Sequence, residues 1–201
     1  MRLFLLISTL VISSCTTQHV IDINQYPDFD SQTITQSNLP EFKVGKIPDL
    51  TYCQADFSCA SSSISTVLKR KFGIKISELE VMSGLLNNGE KDIIAERHGF
   101  SLLDMKLYVD NLGYQGNGFM LDRKDFIQIF KGSDQVTKFP IIIPLNYTGI
   151  RRFAVLSGGN TAYALIDDPA YGRYKIKHAD FFGILDEGVI FTINKSPVPA
   201  S

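Results

Sequence analysis

Helical periodicity in the first part of the chain and strand-like segments in the second predict an α+β domain, with helices packed on an antiparallel sheet. Two observations carry this. Between residues 59 and 130, apolar residues recur at helical spacing behind capping residues. From residue 139 on, short segments rich in β-formers are separated by turn residues. A chain of 201 residues holds one such domain with its own core and residues to spare.

The first helix starts at Cys59: Ile64, Val67, Leu68 and Phe72 share a face, and Gly73 closes it. Ser77 and Glu80 have the spacing of a capping box and open a second helix through about Leu86. Ser101 and Asp104 open a third, with Leu103, Leu107 and Leu112 on one side and Gly113 at its end. Asp122 caps a fourth, carrying Phe126, Ile129 and Phe130. The predicted strands are 139–145, 152–156, 162–166, 173–177 and 189–193, with Gly158-Gly159-Asn160 among the turns. Phe181 and Phe182 read as core residues rather than a docking site, since aromatic pairs beside a sheet pack inward.

The N-terminus carries a different signal. Arg2 precedes an apolar run from Leu3 to Ile12, too short to span a bilayer as a stable helix. Ile12-Ser13-Ser14-Cys15 then resembles a bacterial lipobox, with residues 1–14 as signal peptide and Cys15 as the lipidated residue. The alternatives are an ordinary signal peptide with an incidental cysteine, or a short buried strand. Acyl chains would hold a lipoprotein to the membrane. Thr16 follows the cysteine in place of aspartate, so the expected address is the outer membrane, facing the periplasm. Residues 15–50 are polar and punctuated by Pro27, Pro40 and Pro48. They read as a tether, with an optional edge strand at 42–47, leading into a domain over 51–195 and a tail over 196–201.

Net charge is −1 and the basic residues are scattered, which excludes the basic stripe that nucleic-acid binding needs. No cysteine or histidine spacing matches a metal site, and no cofactor is expected. With Cys15 lipidated, Cys53 and Cys59 remain in the domain. Two cysteines make no disulfide scaffold, yet an oxidising periplasm permits a bond between them, so their redox state stays open.

Cys59 is the candidate nucleophile. The free N–H groups and the dipole at a helix N-terminus favour a thiolate. Gln54, five residues earlier, can donate its amide to an oxyanion. The competing reading makes Cys59 a small buried hydrophobe and Gln54 a surface residue; spacing alone leaves the two level.

Gln54-Ala-Asp-Phe-Ser-Cys59 at a helix start resembles the C39 peptidases, which cleave leader peptides after a double glycine. The resemblance continues in family order through Gly99-Phe-Ser-Leu-Leu-Asp-Met-Lys106, Pro140-Ile-Ile-Ile-Pro-Leu145, Arg152-Phe-Ala-Val-Leu156 and Asp168-Pro-Ala-Tyr-Gly172, covering roughly residues 50–194. It implies a papain-like cysteine peptidase fold, with an N-terminal helical half packed on a C-terminal antiparallel sheet. It also implies Cys59 as nucleophile, Gln54 as oxyanion donor and Asp168 as the residue that orients the catalytic histidine. A stand-alone exported form beside a secretion or functional-amyloid system is the expected type, with a peptide or secreted protein as partner.

The histidine itself is missing: Arg152 begins the strand where it should stand, and Ala60 replaces the glycine usual after the nucleophile. Imidazole can take and return a proton near neutral pH, whereas guanidinium stays protonated. Arg152 can favour a Cys59 thiolate or pair with Asp168, but it cannot serve as general base. His98, His178 and His19 read as loop, strand-end and tether residues rather than substitute bases. Three functions therefore stand side by side: a peptide-binding domain with impaired hydrolysis, a working peptidase with an altered base, and an assembly surface with an unused cleft.

Overall fold

The computed structural model describes residues 28–29, 47, 49–53, 58–132, 138–147 and 149–196. The signal segment, Cys15, His19, Gln54 and most of the proposed 42–47 edge strand lie outside the described residues. Helices α1 (Cys59–Phe72), α2 (Glu78–Asn88), α3 (Lys91–Arg97) and α4 (Leu102–Asn111) come first. Strand β2 (Tyr114–Met120) and helix α5 (Arg123–Phe130) follow. Then come β3 (Ile141–Tyr147), β4 (Ile150–Gly159), β5 (Tyr163–Asp168), β6 (Gly172–Lys177), α6 (His178–Ile184) and β7 (Val189–Lys195). A two-residue β1, Asp28–Phe29, lies within the tether region and pairs parallel with β6.

The strands form one sheet in the order β1-β6-β5-β4-β3-β7-β2, antiparallel throughout except at β1. Period-two alternation assigns its faces. Ile142 and Val155 meet Ile64, Val67 and Leu68 of α1 and Met105 and Val109 of α4 in one core. Their neighbours Ile141, Ile143, Ala154 and Leu156 point the other way, to Phe126 and Phe130 of α5 and Phe181 of α6. The unbroken apolar run of β3 follows from this, because both faces are covered. The α+β architecture expected from the sequence is present, with a second, smaller helix layer behind the sheet.

Ser77 and Glu80, Ser101 and Asp104, and Asp122 and Asp125 all close reciprocal capping boxes. Gly73 ends α1 in the left-handed region at φ 72°, where its amide reaches Lys69 O. The expected face of α4 is corrected: Leu103, Leu107 and Leu112 are exposed, while Met105, Tyr108 and Val109 enter the core. Phe181 is fully buried and Phe182 packs partly buried against the same cluster, as read from the sequence.

Candidate active site

Helix α1 runs through the domain with Ser61, Ser62, Ser63, Ser65 and Thr66 all buried. Small hydroxyl residues let it pack closely while serving backbone acceptors; Ser61 Oγ donates to Ser58 O and Ser65 Oγ to Ile76 O, both at 2.6 Å. Ser58 at its N-terminus makes no side-chain cap, and the first turn holds no acidic residue. The positive end of the helix therefore falls on Cys59, which is 2% exposed.

Cys59 is joined to Cys53 by a disulfide, with Cα atoms 5.0 Å apart. The two cysteines whose redox state the sequence leaves open are paired in this structure. The Cys53 strap is itself tied to the far side of the site, its amide donating to Pro169 O at 3.0 Å. The turn that carries Asp168 and the segment that carries Cys53 therefore share one hydrogen bond.

Arg152 sits on β4 opposite Leu145 of β3 and lines, with Cys59 and Ala60, a cleft of about 400 Å³. Its guanidinium carbon stands 4.8 Å from the ring centroid of Tyr171 and 5.7 Å from that of Tyr147, within cation–π range. Its Nε is buried with no hydrogen-bond partner among the described residues. The bidentate pairing with Asp168 considered from the sequence is absent: among the described residues no ion pair within 4.0 Å joins the two.

Asp168 ends β5 and is fully buried. It accepts from Ala170 N at 2.8 Å and from Tyr147 Oη at 3.3 Å, while Tyr147 and Tyr174 share a hydroxyl–hydroxyl contact. Burial pushes its carboxyl up to about 6, opposed by the Ala170 amide, the Arg152 charge and the Tyr171 and Tyr147 donors. Between pH about 4 and about 6 the folded protein keeps a proton that the unfolded chain has released. The Asp168 contribution to stability thus falls by about 3 kcal/mol as pH rises through that window and is level above it. Asp168→Asn keeps one carbonyl acceptor for Ala170 N, turns its amide NH2 toward the Tyr147 hydroxyl, and is expected to erase this decline. Paired urea denaturations of wild type and variant at pH 4, 5, 6 and 7 check it; parallel stability curves would refute the assignment.

His98 ends α3 in the left-handed region at φ 55° and lines the cleft with Cys59. The sequence marks it as a loop residue, and the α3–α4 connection, whose residues Gly99 and Phe100 also line the cleft, gives it this position. His178 lies elsewhere, stacked on Phe130 with ring centroids 4.5 Å apart, and burial lowers its pKa, keeping it neutral. Missed from the sequence are the tyrosines around Asp168 and the cleft charges Arg97, Arg151, Asp186 and Glu187. Also missed is Asp167, buried between Arg70 and Arg173. Adjacent strand residues face opposite ways, so the Asp167-Asp168 pair was a legible sign of two separate buried acids. Among the described residues, no group of three or more histidine, cysteine or acidic side chains is placed to hold a metal. No helix among them is long and apolar enough to cross a membrane.

The profile of the peptidase C39 family matches residues 49–197. The chain belongs to that family. It is 26% identical over 177 residues to the "Probable functional amyloid protease FapD" of Pseudomonas aeruginosa, covering 88% of this chain and 74% of the relative. Against the protein of the same description from Pseudomonas fluorescens it is 24% identical, over 74% of this chain and 61% of the relative. The chain thus spans less than two thirds of the length of that second relative. Among solved structures, the peptidase domain of Streptococcus ComA, a bi-functional ABC transporter, superposes with TM-score 0.57 at 15% identity, over 73% of this chain and 98% of that domain. A double glycine motif protease from an AMS/PCAT transporter, solved with a leader peptide, gives 0.56 at 23% identity, over 75% and 93%. Both likenesses concern the fold. In this C39 domain, a permanent cation, Arg152 of β4, lines the same cleft as Cys59, and the sulfur of Cys59 is tied up in the disulfide.

Proposed function

We propose that this C39 domain binds peptide segments in its cleft with hydrolysis impaired, as part of an export or fibre-assembly system. The reading includes an acyl anchor at Cys15 that holds it to the outer membrane on the periplasmic side. The observation that carries it is Arg152 beside Cys59 in one cleft, because guanidinium can neither accept the thiol proton nor return it to a leaving amine. The disulfide supports it further, since only a free thiolate attacks a carbonyl. Similarity to a relative named as a functional amyloid protease supports the setting, and the leader peptide in the transporter protease supports the ligand class.

The test uses the full chain reduced with dithiothreitol, a labelled Gly-Gly-containing peptide, and the Cys59→Ala variant. Wild type and variant are expected to bind the peptide alike, by fluorescence anisotropy, and to leave it intact over hours. Cleavage by wild type that disappears in Cys59→Ala would overturn the reading. The second reading, an active peptidase with an altered base, is favoured by one observation: His98 lines the same cleft as Cys59. It requires that any such cleavage also vanish in His98→Ala.

A further inference from the structure

The cleft's charges are unevenly paired. Arg97 meets Asp104 at 2.5 Å, and Arg151 meets Asp186 at 3.2 Å. Arg152 lines the same cleft and has no carboxylate within ion-pair distance among the described residues. Its contacts are the faces of Tyr147 and Tyr171, which orient a guanidinium without using its N–H donors. Cys59 is in a neutral disulfide and offers this cation no thiolate; of the acids that line the same cleft, Asp186 pairs with Arg151, and Glu187 makes no ion pair with Arg152 among the described residues. Asp168 lies behind, buried and with its carboxyl served by Ala170 and Tyr147.

We infer that Arg152 makes the cleft a carboxylate receptor: the segment it holds presents an anionic carboxylate, either the free C-terminus of a peptide or an Asp or Glu side chain. A planar guanidinium held by two rings is suited to bidentate carboxylate recognition, which gives both charge and geometry. A substrate amide offers no charge to such a site. A free peptide C-terminus or an acidic side chain offers one. This inference rests on the reading that the cleft binds peptide.

The test measures anisotropy of three labelled peptides on the oxidised full chain at low salt. One ends in Gly-Gly with a free acid, one has the same sequence as the amide, and one is the amide carrying a single internal Glu. Wild type is expected to bind a carboxylate-bearing peptide roughly tenfold to a hundredfold more tightly than the plain amide. Preference for the free acid assigns the C-terminus, and preference for the internal Glu assigns a side chain. Arg152→Gln is expected to abolish the preference, and Arg152→Lys to keep part of it. Far-UV circular dichroism and urea midpoints of the three proteins serve as the folding control, and each protein's preference is read as the ratio of its own affinities for the carboxylate-bearing peptide and the plain amide. Equal binding of all peptides by wild type overturns the carboxylate receptor and leaves peptide binding standing. Absence of binding by every peptide overturns both.

Discussion

Arg152→His in the reduced protein is expected to raise the rate of Gly-Gly peptide cleavage by roughly 10²- to 10⁴-fold, the usual contribution of a positioned acid–base group. The side chain starts from β4, beside the cleft that holds Cys59 and within electrostatic reach of Asp168. A histidine there can take the Cys59 proton and be held by the carboxylate behind it. The substitution also removes a fixed charge that lowers the Asp168 carboxyl, which burial already raises to about 6. Asp168 and the new imidazole then titrate as a pair, and the assay belongs above pH 7, where the carboxylate is ionised. Without reductant the variant should stay silent, because the Cys53–Cys59 bond withholds the nucleophile. A reduced Arg152→His protein that binds peptide yet cleaves no faster than wild type would mean that a second change, with Ala60 at the cleft wall the first suspect, also blocks the reaction.

What the sequence showed of this fold was governed by how local the signal was. Capping boxes lie within four residues, so the starts of α2, α4 and α5 were legible from Ser77, Ser101 and Asp122. Strand β2 was not, because Gly116, Asn117 and Gly118 disfavour an extended strand on their own. It forms because tertiary packing demands it: a Cβ on Gly116 would stand 2.6 Å from Val109 Cγ2 and 2.8 Å from Phe191 Cζ, so only glycine lets β2 slide between α4 and β7. The face of α4 was misread for a related reason. Leu103, Leu107 and Leu112 look like a core stripe by hydropathy, but Met105, Tyr108 and Val109 face the sheet. At the site, Cys59 and Arg152 could be singled out by type and order. The tyrosines that hold Arg152 and Asp168 could not, because β3, β4 and the 168–172 turn bring them together only in three dimensions.

Asp167→Ala is expected to destabilise the fold by about 3–5 kcal/mol, the usual cost of removing one partner from a buried charge cluster. Asp167 is fully buried. It accepts from Arg70, Arg173 and Ser157, and Arg173 Nη2 reaches it at 2.9 Å. Burial pushes its carboxyl up, but the Arg173 hydrogen bonds, the charges of Arg70 and Arg173 and the Ser157 hydroxyl outweigh this and hold it below the usual carboxylate range. Removing the carboxylate takes the shared buried partner from two guanidinium groups whose side chains are 11% and 7% exposed. It also removes the tie from Arg70 of α1 to β5, leaving the Arg70–Ser157 and Lys71–Asn194 hydrogen bonds to β4 and β7. Asp49 gives the internal comparison: it pairs with the same Arg70 at 2.9 Å but is 48% exposed, so Asp49→Ala should cost about 1 kcal/mol or less. Urea denaturation of the two variants beside wild type separates the cases, and equal small losses would show that Arg70 is held by packing rather than by the buried carboxylate. α1 carries Cys59 at one end and Arg70 near the other, so Asp167→Ala should loosen the Cys59–Arg152 cleft even where the domain still folds.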